Sequence, residues 1–261
     1  MTGNPYSNYF LADSSIGTRL MLGFIAPAAA LQQRLPQPWR LSEIPAPYLE
    51  ALNVHTQKRV AMPNVMFVFN DFLLNLDAQR RPRIDSRAHS LGLNIPAINS
   101  DTGERGMIHT RLFTDNPHGV PGHYNDALPA RIRREYHVVG EEAMTTVSEH
   151  FQVDPDTGGT LDLQITYNRG MLIRVVGDYP NFPLWSAVDT RIQRVYQEES
   201  VLEVIRTDTL GINYVQSMTL QVTIPEFADL FDKSERLVTI LGNPHYARKV
   251  FSPVAPAAHE L

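Results

Sequence analysis

Apolar residues recur at every second position along much of this chain. In "TLDLQITY" (Thr160–Tyr167), Leu161, Leu163, Ile165 and Tyr167 fall on one face of an extended segment. "INYVQSMTLQVTI" (Ile212–Ile224) alternates in the same way. "NVMFVFNDFLLNL" (Asn64–Leu76) is apolar nearly throughout and rich in β-branched and aromatic residues, which fits a barrel strand or one buried on both faces. "GTRLMLGFIA" (Gly17–Ala26), "MIHTRLF" (Met107–Phe113) and the segment from Thr145 to Val153 add three further strands. After Tyr167, "NRG" (Asn168–Gly170) reads as a turn and "MLIRVV" (Met171–Val176) as a return strand, which predicts a hairpin.

Helical signals are few. "PAAALQQRLPQPW" (Pro27–Trp39) opens on a proline suited to a first turn and carries alanines, with Pro36 as a stop, so a short helix is expected over 28–34. "SEIPAPYLEALNVH" (Ser42–His55) suggests a loop with one helical turn. "PEFADLFDKSERL" (Pro225–Leu237) combines an initial proline with apolar residues at helical spacing. Residues 1–15 read as a polar arm and 252–261 as a loose tail. Nothing shows a strand–helix–strand rhythm, an internal repeat or a linker. The expected fold is α+β and mainly antiparallel β: one barrel-like domain spanning 1–261, with an internal cavity and few short helices.

Composition narrows the function classes. The chain has 261 residues, enough for a sizeable core, with 43% hydrophobic and 20% charged residues. A net charge of −5 argues against a nucleic-acid partner. "QRRPR" (Gln79–Arg83) and "RIRR" (Arg131–Arg134) read as solvated basic runs. The absence of cysteine excludes thiolate catalysis and cysteine-based zinc sites. The N-terminus lacks a secretory layout and no apolar run is long enough for a membrane span, so a cytoplasmic protein without a membrane partner is expected.

Most familiar catalytic patterns are missing. His109, His118 and His123 lie close in sequence but match no metal-binding spacing, and no cofactor is expected. "DPDTGG" (Asp154–Gly159) lacks the distal glutamate of a calcium loop and reads as a turn. No G-x-S-x-G elbow is present. Glu141–Glu142 and Glu198–Glu199 are neighbours, so on a strand each pair is divided between opposite faces. One segment stands out: "TDNPHGVPGHYNDALPARI" (Thr114–Ile132) reads as a long ordered loop, dense in proline, glycine and polar groups, of the kind that carries function.

That segment resembles the acetoacetate decarboxylase superfamily. "LFTDNPHGVPGHYNDALPARI" runs without a gap beside the family's Asp-Asn-Glu-Pro … Gly-Arg-Glu … Pro-Lys-Lys-Leu pattern; Pro117, Gly122, Ala127 and Pro129 coincide with it and Ile132 replaces a leucine. "GFIAPAAALQQRLPQPWRL" is similar to the family's strand, short helix and V-P-E-P-L turn. The clear similarity covers roughly a fifth of the chain. It implies a cone-like antiparallel barrel with a buried cavity, a small-molecule substrate and a homo-oligomer.

The resemblance fails at the family's chemistry. Its Schiff-base lysine falls on Ala130, the second lysine on Arg131, the acidic residue before proline on Asn116, and the Arg-Glu pair on His123 and Tyr124. The only lysines are Lys58, Lys233 and Lys249, all outside the motif. The implied enzyme works without a Schiff base. Arg131 would hold a carboxylate or enolate oxygen, His123 would exchange protons, and Tyr124 and Asn116 would donate hydrogen bonds to a carbonyl oxygen. Arg19, His118, Phe67 and Phe69 are assigned as the substrate-binding complement. Such a toolkit suits isomerisation, hydration or dehydration, cyclisation or hydrolysis of an oxo or carboxylate compound. Two alternatives stand beside it: a non-catalytic binding protein, and a decarboxylase that recruits one of the three outlying lysines.

Overall fold

The alternating segments fold into fourteen strands, seen in a computed structural model that describes residues 7–42, 63–82, 87–121, 126–140, 145–176, 182–191 and 193–253. In chain order they are β1 (Phe10–Ile25), β2 (Trp39–Leu41), β3 (Val65–Asp77), β4 (Ala88–Asn99), β5 (Arg105–Thr114), β6 (Ala127–Val139) and β7 (Thr146–Pro155). There follow β8 (Leu161–Asn168), β9 (Met171–Val176), β10 (Phe182–Ser186), β11 (Gln193–Thr207), β12 (Ile212–Asn213), β13 (Val215–Val222) and β14 (Arg236–Ser252). The one α-helix among the described residues, α1 (Ala28–Gln32), sits where the alanine run predicts it.

Seven strands close into a barrel in the order β5-β10-β11-β14-β1-β3-β4, with β4 pairing back onto β5. β5 is the branch point. Its Met107–His109 stretch pairs with β10 and completes the barrel, whereas Leu112–Thr114 pairs with the start of β6. β6 then leads into a second sheet, β6-β7-β8-β13. Each barrel strand therefore has one face toward the barrel interior and one toward the outside. On β1, Met21 belongs to the interior apolar cluster, which also takes Met66, Met107, Leu112, Leu184, Leu241 and Tyr246 from the other strands. Leu20, Leu22 and Phe24 point the opposite way, into a larger cluster shared with Val147, Phe151, Leu163 and Tyr167 of the second sheet. Two cores result, one within the barrel and one between barrel and second sheet.

Three expectations are corrected. Asn168–Gly170 does not close a hairpin. β8 pairs with β7 and β13, while β9 pairs with β11, so the turn carries the chain from one sheet to the other. Gly170 makes that crossing possible because a side chain there would collide with the Val204 backbone. The segment after Ile224 forms one 3-10 turn, Pro225–Phe227, instead of a longer helix; Phe227 and Leu230 are anchored in the interlayer core and Lys233 takes a left-handed backbone conformation soon after. Residues 10–15 are not an arm but the first part of β1, with Asp13 and Ser15 buried. The predicted turn at Ser42–His55 and most of the 252–261 tail lie outside the described residues.

Candidate functional site

A polar group occupies the barrel interior, and the pleat of β1 explains why. Asp13, Ser15, Gly17, Arg19 and Met21 alternate on the inward face. Arg19 Nη2 donates to Glu198 Oε2 of β11 at 2.7 Å, and its Nε to Asn70 Oδ1 of β3 at 3.2 Å. Asn70 in turn donates to Ser90 Oγ of β4 at 3.2 Å. The Arg19 guanidinium stands 4.4 Å from the centroid of the Tyr246 ring of β14. Gly17, opposite Tyr246 in register, leaves room for that ring, since a Cβ there would lie 2.8 Å from the tyrosine hydroxyl.

A second guanidinium comes from Arg248, two residues further along β14. Its Nε donates to Ser15 Oγ at 3.2 Å, and its Cζ lies 4.8 Å from the Tyr196 ring, 5.2 Å from Phe72 and 5.4 Å from Tyr246. Arg19 is paired with a carboxylate; Arg248 has no ion pair among the described residues. Burial pushes the Tyr246 hydroxyl pKa up, with both arginines opposing the shift. The charges that act on this ring are thus two guanidinia and the carboxylate of Glu198.

His109 lies on the inward face of β5 and is 4% exposed. Its Nδ1 lies 2.6 Å from Asn94 Oδ1. Burial lowers its pKa from 6.5 to about 4, with Asp126 favouring the cation and Arg111 opposing it. Ser186 of β10, beside His109 in the parallel register, donates to Asp126 Oδ2 at 2.5 Å.

The interlayer core holds a third polar group with the opposite charge balance. Arg134 of β6 donates through Nη2 to Glu149 Oε2 at 2.8 Å and through Nη1 to Asp71 Oδ2 at 3.3 Å, and also bonds Thr18. Tyr167 donates to Glu149 Oε1 at 3.2 Å, and burial followed by the Glu149 charge raises its hydroxyl pKa. The bonds from Arg134 to Asp71 and Thr18 run between the two sheets and seat one on the other, while those to Glu149 tie β6, β7 and β8 together within the second sheet.

The residues singled out in the sequence are scattered across this structure. Arg19 lies at the centre of the interior network. Arg131 faces solvent, because inward positions on β6 are Ala130, Ile132 and Arg134. "RIRR" is accordingly not a uniform surface run: Arg131 and Arg133 are exposed and Arg134 is buried against its two carboxylates. Phe67 and Phe69 take the outward positions of β3, opposite Asn70; they pack on Phe227, Phe231 and Phe151 in the interlayer core instead of lining the interior. Asn116 caps the short 3-10 turn Pro117–Gly119 by accepting from the His118 amide, and His118 is exposed. His123 and Tyr124 lie outside the described residues. The segment read as one long loop ends at Ala127, where β6 begins. Ala130, 7% exposed, belongs to the interlayer core. Lys233 and Lys249 are exposed, and Lys58 lies outside the described residues. Among the described residues no group of histidine, aspartate and glutamate side chains is arranged to hold a metal ion, and no helix is long and apolar enough to cross a membrane.

Sequence reasoning missed Asn70, Ser90, Tyr246, Arg248, Asp126 and Ser186. The signal available for some of them was an interruption of pattern. Arg19 breaks an apolar run on β1, and Asn70 breaks another on β3. The Glu198–Glu199 pair divides as its spacing predicts, with Glu198 turned inward to Arg19 and Glu199 outward to the exposed Arg174.

This barrel, with its branching strand and attached second sheet, is the acetoacetate decarboxylase-like fold. It is similar to the enduracididine biosynthesis enzyme MppR with HEPES buffer bound, at a TM-score of 0.51 and 13% identity over 93% of this chain and 86% of that one. It is likewise similar to an acetoacetate decarboxylase-like enzyme from Sphingomonas wittichii RW1, at a TM-score of 0.50 and 12% identity over 94% of this chain and 92% of that one. No protein-family model and no curated relative matches the sequence.

Proposed function

We propose that this protein is a small-molecule enzyme that binds an anionic oxo or carboxylate compound inside the barrel and acts on it without a Schiff base. The observation that carries the reading is Arg248. Arg248 is half-buried at the barrel interior, and a partly desolvated guanidinium without a carboxylate partner among the described residues is stabilised by a compensating negative charge. Three aromatic faces and one serine hydroxyl stabilise Arg248 only in part. An anionic ligand group would complete it. Arg19, fixed by Glu198 and Asn70, would accept a second oxygen, and Tyr246 would hold the ligand between the two cations. With alanine where the family's nucleophile falls, and with Lys233 and Lys249 exposed, hydrogen bonds and proton transfer are the chemistry left to this interior.

Calorimetric titration of the full chain with pyruvate, the simplest 2-oxo acid, tests the reading. Binding to the wild type should be lost in Arg248→Met while the fold is kept. Equal affinity in both proteins would remove Arg248 from the site. Borohydride treatment in the presence of pyruvate should leave the protein mass unchanged, and a trapped adduct would overturn the mechanism.

A further inference from the structure

His109 is a titratable group of the interior that anion binding does not use. His109 lies over Gly92 of β4, where a Cβ would come within 2.9 Å of its Cε1. Glycine at this position is what lets the ring lie against the barrel wall. The inward row of β4 continues from Asn94 through Gly92 to Ser90, and Ser90 accepts from Asn70, the partner of Arg19. His109 is therefore one pleat, about 7 Å along the strand, from the end of the Arg19 network.

The tautomer follows from Asn94. Its Oδ1 is an acceptor 2.6 Å from Nδ1, so Nδ1 carries the proton and the lone pair is on Nε2. Asp126, immediately ahead of β6, supplies the nearby negative charge. The Ser186 hydroxyl holds that carboxylate in place: it donates to Oδ2 while accepting from the Val188 and Asp189 amides at 3.1 and 3.3 Å. Thus engaged, Ser186 positions Asp126 and is not a nucleophile. Asp126 Oδ1 is buried without a hydrogen-bond partner. Among the charged groups that act on His109, this carboxylate favours the imidazolium and Arg111 opposes it.

We infer that His109, assisted by Asp126, is the proton-transfer group of the interior, its neutral Nε2 taking a proton from the carbon beside the carbonyl of a substrate held by the two arginines. This rests on the anion-binding reading above. The C–H bond breaks and an N–H bond forms. The electron pair enters a new C=C bond, and the carbonyl π pair moves onto oxygen to give an enolate. Return of the proton to either end of that enolate completes an enolisation or an isomerisation, and no oxidant or co-reactant is consumed. A neutral base suits an anionic substrate, because positive charge appears on the imidazole only as negative charge grows on the enolate.

The test follows exchange of the pyruvate methyl protons with deuterated solvent by NMR, alongside calorimetric affinity. The wild type should accelerate exchange. His109→Gln should lower that rate about 100-fold while pyruvate affinity stays within about threefold. Asp126→Asn should lower the rate about 10-fold and displace its pH profile. Binding without exchange in the wild type, or equal exchange in His109→Gln, overturns the role of His109 and leaves the arginine site standing. Failure of the wild type to bind overturns the anion reading and this inference with it. A readout that needs no ligand is the 15N spectrum of labelled histidine: the proton should be on Nδ1 at neutral pH, and a proton on Nε2 overturns the inference.

Discussion

Arg19 Nη2 and Glu198 Oε2 lie 2.7 Å apart inside the barrel, and this ion pair sets a carboxylate against one of the two guanidinia around Tyr246. Removing the carboxylate should therefore act on two properties in opposite directions. Glu198→Gln should destabilise the protein by about 2 kcal/mol, less than the cost of breaking a fully buried pair because Glu198 keeps some contact with solvent. The same change should tighten binding of pyruvate or another small anion, since it removes a negative charge from beside the two guanidinia. Urea denaturation and calorimetry on one preparation check both signs. A glutamine variant that loses stability and anion affinity together would show that Glu198 shapes the site sterically.

Gly17 should be intolerant of any side chain. A Cβ there would meet the Asp71 carbonyl oxygen on one side and the Tyr246 hydroxyl at 2.8 Å on the other. The carbonyl belongs to a paired strand and cannot retreat, so the tyrosine must. Gly17→Ala should cost about 2 kcal/mol through overpacking and weaken anion binding by displacing the ring between the arginines. Chemical denaturation and titration with pyruvate measure the two effects. Wild-type values for both would mean that Tyr246 does not depend on the gap.

The sequence makes the strands of the second sheet easy to see and the site hard. β8 buries one face and β13 half-buries one, each exposing the other, so apolar and polar residues alternate along them. Barrel strands β1, β3 and β14 are covered on both sides, and in such strands the polar residues interrupt an apolar run without revealing which face they occupy. Arg19 could be singled out, but its partner Glu198 is 179 residues away and joins it only when the barrel closes. The same limit applies to Arg131 against Arg134. Three residues apart, they differ in everything that matters because the pleat turns one to solvent and the other to Asp71 and Glu149. The resemblance identified the fold and the alanine where a lysine would fall. It could not indicate that the polar groups left inside would be Arg248, Tyr246 and His109.

Restoring that lysine should not restore Schiff-base chemistry. Ala130 packs in the apolar layer between the barrel and the second sheet, a different core from that of Arg19 and Tyr246. In Ala130→Lys the amine enters an apolar environment that disfavours its charge, which lowers its pKa below the unfolded value near 10.4. The unfolded chain then binds more protons at neutral pH, so the variant should be several kcal/mol less stable at pH 7 and regain part of the loss toward pH 10. Borohydride with pyruvate should trap no adduct. A trapped adduct would mean that this position reaches the substrate after all.

His109 should leave a signature in the pH dependence of stability. Burial holds its folded pKa at about 4, below the ordinary 6.5. Between these values the unfolded chain carries a proton that the folded chain refuses, so acid favours unfolding through this residue. The penalty is absent above about pH 7, grows as the pH falls through 6.5, and levels off below about 4. At its full extent it amounts to about 3 kcal/mol. In His109→Gln that component disappears, while the carboxylates shared by both proteins titrate alike and cancel in the difference. Urea midpoints measured from pH 7.5 down to 4 should therefore show the wild type losing stability more steeply than the variant, with most of the divergence below pH 6.5. Parallel curves would mean that His109 accepts its proton in the folded protein as readily as in the unfolded one, and that burial does not hold it neutral.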